Sequence, residues 1–436
     1  MIMKKTRLLN IFPNTNVAAY YDQSHQLICL NSYNFTDFKD ENFKGIDKKS
    51  VDKLSLFEHE LTHWIDHYST LWGQQNIVLL FNALNSRANQ DINEFWRIKH
   101  LENSFRKDTF FDYFTEKHNH IQGNGHNRWK YQITSGIRFS SEGKPEHEKP
   151  ILFVRFNSTD NIPIVRVPVS VASILETNAI KSEYFVKFLA IKQDEDFINK
   201  KVSERILKEE LMHLLYNPDL TLYSVIAHLT ANLNNQEDIL ETLDVTSQIG
   251  TLVLNLPDEL IKKIRIPKIE DKLWEERYNC FINEKDKGAI FYFLLKNLIE
   301  KYGQNSFSKE TILEASDLPS KDQLRENIIT KMEENINKLI DGPFKAMAVK
   351  AIKIGIEMFK RRGVFGDGTE IRDYIIDNKI MPTILFGDTV LKLDNLDINI
   401  ILEKLNNGEE ITINEKYFII DYYKDKFDEF LEVCGI

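Results

Sequence analysis

Cysteine is scarce in this 436-residue chain. Its three cysteines, Cys29, Cys280 and Cys434, are scattered too widely to form a disulfide framework or a thiolate zinc cluster. The scarcity points to a reducing, cytoplasmic compartment. Long apolar runs are missing too: the longest, Ala289 to Leu295, is far too short to span a bilayer, so no membrane partner is expected. At the N-terminus Lys4, Lys5 and Arg7 precede only Leu8 to Phe12, which is less apolar sequence than a secretory signal needs. Basic residues are in deficit, 56 against 66 acidic ones for a formal net charge of -10. Nucleic acid is therefore not the expected partner, because phosphate binding rests on clustered Lys and Arg. What remains is 42% hydrophobic and 28% charged, the balance of a globular protein long enough for two or three domains.

Against these absences stands one dense stretch, Leu54 to Gly73, LSLFEHELTHWIDHYSTLWG. Val51, Leu54, Leu61, Ile65, Tyr68 and Trp72 recur at three- and four-residue steps, and Phe57, Trp64 and Leu71 widen the stripe. The pattern predicts a largely buried helix, with Ser50 as its N-cap and Gly73 at its end. Such a helix also carries Glu58, His59, Glu60, His63, Asp66 and His67, and buried polar groups need partners. His59, Glu60 and His63 spell H-E-x-x-H. On a helix, residues four apart have Cβ atoms about 5–6 Å apart. Two imidazoles so placed can close on one zinc ion at ~2.0–2.1 Å. Glu60 can then reach the attacking water as general base.

Catalytic zinc takes three protein ligands and a water. His67 is too far along the helix to be the third, since eight residues rise about 12 Å. It reads instead as a supporting donor or a satisfied buried histidine. An acid on a second, apolar helix is the better candidate. Ser170 caps a segment VASILETNAIKSEYFVKFLAIK in which Glu176 sits among Val171, Ile174, Leu175, Ala179 and Ile180. A charge buried there needs a cation; Glu183 is the alternative ligand, and Asn178 a nearby hydrogen-bonding group. Asp66 or Glu58 could support the histidines. His228, Tyr223, Tyr184 and His213 are candidates to stabilise an oxyanion.

HELTH resembles the zincin metallopeptidases, and a distant helical glutamate as third ligand is similar to their gluzincin branch. The resemblance implies zinc held by His59, His63 and Glu176, with Glu60 activating water. It also implies a sheet whose edge strand binds extended peptide beside the cleft. In many gluzincins the third ligand opens a Glu-x-x-x-Asp pattern; here the residue four on is Ile180. The expected function is a zinc-dependent metallopeptidase acting on a peptide or protein substrate and restrained by a regulatory partner protein. Two alternatives remain open: a zincin-fold binding or regulatory protein without turnover, and a metal-dependent hydrolase of a non-peptide substrate.

The rest of the chain is read for organisation. Val17 to Tyr21 and Leu27 to Leu30 form a hairpin around Asp22-Gln23-Ser24-His25, after which Asp37 to Asp47 is polar and charged. Lys117 to Arg128, with His118, His120 and His126, is a solvated loop, and Tyr131 to Ser170 an antiparallel β section. Leu256 to Lys272, with Pro257 and Pro267, is the expected linker. It divides a zincin-like catalytic region (1–255) from a mainly α-helical C-terminal region (256–436). In the latter, Lys360-Arg361-Arg362-Gly363 reads as a helix end, and Gly387-Asp388 as a two-residue hairpin turn. The fold class expected is α+β, with active-site helices and a small antiparallel sheet.

Overall fold

The computed structural model describes residues 18–39, 50–110, 113, 116–125, 127–140, 142–268 and 272–433. The segment from Lys4 to Phe12, the polar stretch from residue 40 to 47, His126 and Cys434 lie outside them. The architecture is α+β. The chain opens with β1 (Tyr20–Asp22), β2 (Leu27–Leu30) and the one-turn α1 (Phe35–Phe38). Three long helices follow: α2 (Val51–Ser69), α3 (Leu71–Ala88) and α4 (Glu94–Thr109). Then come β3 (Glu116–Lys117), β4 (Lys130–Phe139), β5 (Pro145–Asn157) and β6 (Pro163–Pro168). Next are α5 (Val171–Lys192), α6 (Phe197–Leu215), α7 (Thr221–Asn234), α8 (Ile239–Asn255) and α9 (Asp258–Ile261). The last part holds α10 (Lys272–Glu284), α11 (Lys287–Tyr302), α12 (Lys309–Ala315), α13 (Lys321–Asn337), α14 (Lys345–Arg362), α15 (Ile371–Asp377), β7 (Thr383–Phe386), α16 (Ile398–Asn406) and α17 (Ile413–Val433).

Two sheets support the helices. The larger runs β3-β6-β5-β4, antiparallel throughout, and its β5–β6 pair is in register from Phe153 opposite Pro168 to Phe156 opposite Val165. The inner half of β5, Pro150 to Val154, is buried, as are Val165 and Val167 of β6. The chain leaves β6 straight into α5. Ser170 caps that helix by accepting the Ser173 N–H, so the sheet fixes where the Glu176 helix begins.

The smaller sheet runs β1-β2-β7 and packs with the motif helix α2. Its β1–β2 hairpin is the expected one. Gly387-Asp388, however, does not turn a hairpin. β7 pairs parallel with β2, from Leu27 opposite Thr383 to Leu30 opposite Phe386, and the Gly387 N–H donates to the Tyr33 carbonyl. The edge of β2 left free by β1 outcompetes a local partner.

The segment read as a linker is also different. Leu256, Leu260, Ile261 and Ile264 are buried in the main core. Pro257 does not break a tether here; it precedes the short α9, a position where a missing N–H costs nothing. The same hydrophobic cluster includes residues from Ala19 to Phe427, so it crosses the expected boundary between residues 255 and 256.

Gly73 does not end the motif helix. α2 stops at Thr70, which is extended (φ -113, ψ 154), and α3 begins at once. The Thr70 hydroxyl donates back to the Asp66 carbonyl and accepts the Gly73 N–H, so one side chain closes α2 and caps α3. Glycine is required at 73 for another reason: a Cβ there would lie 2.0 Å from the His67 carbonyl oxygen. Gly73→Ala must move backbone, and a stability loss of at least about 1–3 kcal/mol is expected. An unchanged urea midpoint would refute this account of the corner.

Candidate metal centre

α2 lies against α5, and the two helices bring the predicted residues together. Glu176 Oε2 is 3.4 Å from His59 Nε2 and 3.7 Å from His63 Nε2. One donor atom from each of the three lies within 4.8 Å of the others, a grouping able to hold a metal ion. Ala179, one turn on from Glu176, is fully buried. Glu176 is itself 2% exposed, and its Oε2 has no hydrogen-bond partner. A buried carboxylate oxygen set between two imidazoles, without a hydrogen-bond partner of its own, is a group that a bound cation would satisfy. The donor set, two imidazoles and one carboxylate, also suits zinc.

The protein groups perturb one another strongly. Burial raises the Glu60 carboxyl to about 7; His59 opposes this, Glu176 adds to it, and the Tyr21 backbone N–H donates to Glu60 and opposes it again. Burial works to lower His59, but its contacts with Glu176 and Glu183 win and hold it well above the ordinary imidazole value. Burial, with His59 beside it, drives His63 well below that value. Burial raises Glu176, against the pull of His59. Side chains pushed apart in this way, in one buried group, make the cluster a functional-site candidate.

Glu183 takes a different role from the ligand alternative. Its Oε2 is 3.2 Å from His59 Nδ1, on the side of the ring away from Glu176, and Lys187 holds its other oxygen at 2.7 Å. It therefore fixes the ring and leaves Nε2 to face His63 and Glu176. Removing such a partner weakens metal binding about 10–100-fold. Glu183→Gln should show that graded loss in a competition titration with a zinc chelator, whereas Glu176→Gln should abolish tight binding. The reverse order would exchange the two assignments.

Asp66 touches no ligand. Fully buried, it accepts from Asn178 Nδ2 at 3.0 Å and pairs with Arg362, whose other nitrogen donates to Ser69 Oγ at 3.0 Å. This ties α2, α5 and α14 together next to the site. Glu58 pairs with Arg372 of α15. His67 is buried outside the ligand group and only half satisfied: Tyr21 bonds its Nδ1 at 2.7 Å, its Nε2 has no hydrogen-bond partner, and burial lowers it to about 3.

Of the oxyanion candidates, Tyr223 is near the centre. Glu176, then burial, then Glu60 and Glu183 push its ionisation far up, so the hydroxyl keeps its proton. α7 is held to α5 there by Thr177 Oγ1 donating to the Tyr223 carbonyl at 3.2 Å. His228 is elsewhere. It donates from Nε2 to the Leu215 carbonyl at 2.9 Å and is packed among Trp129, Phe156 and Tyr216. His213 is exposed on α6, beside Asn124 and Gly125, and Tyr184 packs under Lys187.

Three contributors escaped sequence reading: the Tyr21 N–H on Glu60, Glu183 as the partner of His59, and Arg362 under Asp66. Only Glu183 left a trace. Seven residues beyond Glu176, it returns to nearly the same helix face.

No family model, no curated protein and no solved structure matches this chain. No helix among the described residues is long and apolar enough to cross a membrane.

Proposed function

We propose that the chain is a zinc-dependent metallopeptidase of the zincin kind. The observation that carries this reading is the convergence of His59, His63 and Glu176 within 4.8 Å, with Glu60 next to the first ligand. Zinc, when bound by these three, supplies Lewis acidity that makes water nucleophilic near neutral pH. Glu60 takes the proton of the attacking water and passes it to the leaving amine. The Tyr21 N–H steadies Glu60 during that transfer. The Tyr223 hydroxyl, protonated and set among the carboxylates, donates toward the developing oxyanion.

The Tyr21 contact also favours peptide as substrate. Among the described residues β1 is an edge strand paired only with β2, and its Tyr21 backbone N–H lowers the Glu60 carboxyl. Backbone groups on that edge can pair with an extended chain laid past the general base. The site is narrow, with Glu60 and His63 each 5% exposed, which suits a restricted substrate range. A cytoplasmic location and a restraining partner protein remain part of the proposal.

A peptide-library digestion tests the reading. The zinc-loaded chain should cleave, chelation should stop it, and zinc should restore it. Failure of the zinc-loaded protein to cleave any peptide would refute a peptidase and favour a non-peptide hydrolase or a binding protein.

A further inference from the structure

A second polar cluster, unrelated to the metal centre, lies where the β1–β2 turn meets α17. Four consecutive side chains of this turn, Gln23, Ser24, His25 and Gln26, are buried, Ser24 and His25 to 1% exposure. Each has a buried atom with no hydrogen-bond partner: Gln23 Nε2, Ser24 Oγ, His25 Nε2 and Gln26 Nε2. Four orphans in a row are far from the general rule that buried polar groups are satisfied. The turn itself is well fixed. Asp22 accepts the Ser24 and His25 backbone N–H groups, each at 3.0 Å, and His25 Nδ1 at 2.8 Å. Tyr417 stacks on the His25 ring at 4.3 Å, and Tyr68 donates to Gln26 Oε1 at 2.7 Å. The orphaned atoms are therefore held in place.

Positive charge faces the same turn. Lys416 and Lys424 stand two turns apart on α17, about 12 Å along the axis, on the helix that Tyr417 stacks against His25, and both interact electrostatically with Asp22. Burial alone would raise the Asp22 carboxyl, but His25 and Lys424 hold it well below the usual range. Burial brings Lys416 down to about 8, with Asp22 opposing. Lys424 is 8% exposed. Neither ammonium forms an ion pair among the described residues. One carboxylate thus serves a buried lysine and a half-buried one, an arrangement that leaves a cation uncompensated.

We propose that the Asp22–Gln26 turn and the Lys416–Lys424 face of α17 form a binding site for a compact oxyanion of the phosphate class. The two ammoniums would compensate its charge, and the Gln23 amide and Ser24 hydroxyl would donate to its remaining oxygens. Because α17 forms one wall, occupancy of the site clamps the end of the chain onto the β1–β2 hairpin, whose edge serves Glu60.

The test is calorimetric titration of the full chain with inorganic phosphate and, separately, with acetate, at constant ionic strength. Saturable phosphate binding is expected. It should weaken at least about tenfold in Lys424→Met, the loss of one charge-assisted hydrogen bond, and stay unchanged in the exposed Lys350→Met. Without anion, Lys424→Met should melt at or above the wild-type temperature, since it removes an uncompensated buried charge. Should that variant not fold, Ser24→Ala with Lys416→Gln makes the same test. Tighter binding of acetate than of phosphate would overturn the phosphate class and indicate a carboxylate. Absence of saturable binding by either anion, or equal affinity in Lys424→Met, would overturn the site.

Discussion

Glu60→Gln should keep its zinc and lose peptide hydrolysis by about 10²–10⁴-fold, the usual contribution of a general base. The substitution is nearly isosteric and leaves His59, His63 and Glu176 untouched. Glu60 is not within the ligand group, so metal affinity has no reason to fall. The amide cannot take a proton from water. It can no longer offer the Tyr21 N–H a charged acceptor, but its side-chain oxygen still accepts that bond. The loss should therefore appear in kcat with KM little changed, which separates a missing base from a damaged cleft. Equal loss of metal and activity would mean that Glu60 is structural, and unchanged activity would remove it from the chemistry altogether.

Arg362→Met should be among the most damaging single changes away from the ligands. Asp66 is fully buried, and Arg362 is its ionic partner across α2 and α14. Removing one member of a buried pair typically costs about 3–5 kcal/mol, because the other charge is stranded. Asn178 alone would then serve Asp66. Asn178 is two residues from Glu176, so the loosened joint should also weaken zinc binding. Adding Asp66→Leu to Arg362→Met should recover most of the stability, since an apolar pair of similar volume often replaces a buried ion pair without loss. Urea unfolding of the two single variants and the double variant gives the coupling directly. Independent, additive losses would contradict the bridge.

The legible part of the site was the part written in one helix. H-E-x-x-H needs only the rise and pitch of α2, and Glu176 stood out because an acid on an apolar helix demands a partner. Ser170 was readable for the same local reason. The roles that stayed hidden depend on distant chain. Whether Glu176 or Glu183 stands between the histidines turns on the rotation of α5 against α2, which the packing of the two helices sets. Arg362 was one of three cations at a helix end, all suited to the dipole; the fold picks out the one that points inward. His228 and Tyr223 lie on the same helix, and sequence could not tell which meets the carboxylates. Gly387-Asp388 carried a sound hairpin signal, yet β2 offered β7 a longer parallel partnership. Pro257 and the charges after it looked like a tether until Leu260 and Ile261 were seen to enter the core.

The central claim is a metal centre made by α2 and α5, and metal analysis of the purified chain tests it most directly. The account predicts about one zinc per chain, the complement of a single three-ligand site. That zinc should be lost in His59→Ala, His63→Ala and Glu176→Ala and retained in Glu60→Gln. A wild-type chain that binds no zinc, or a Glu176→Ala variant that binds it as tightly as wild type, would contradict it.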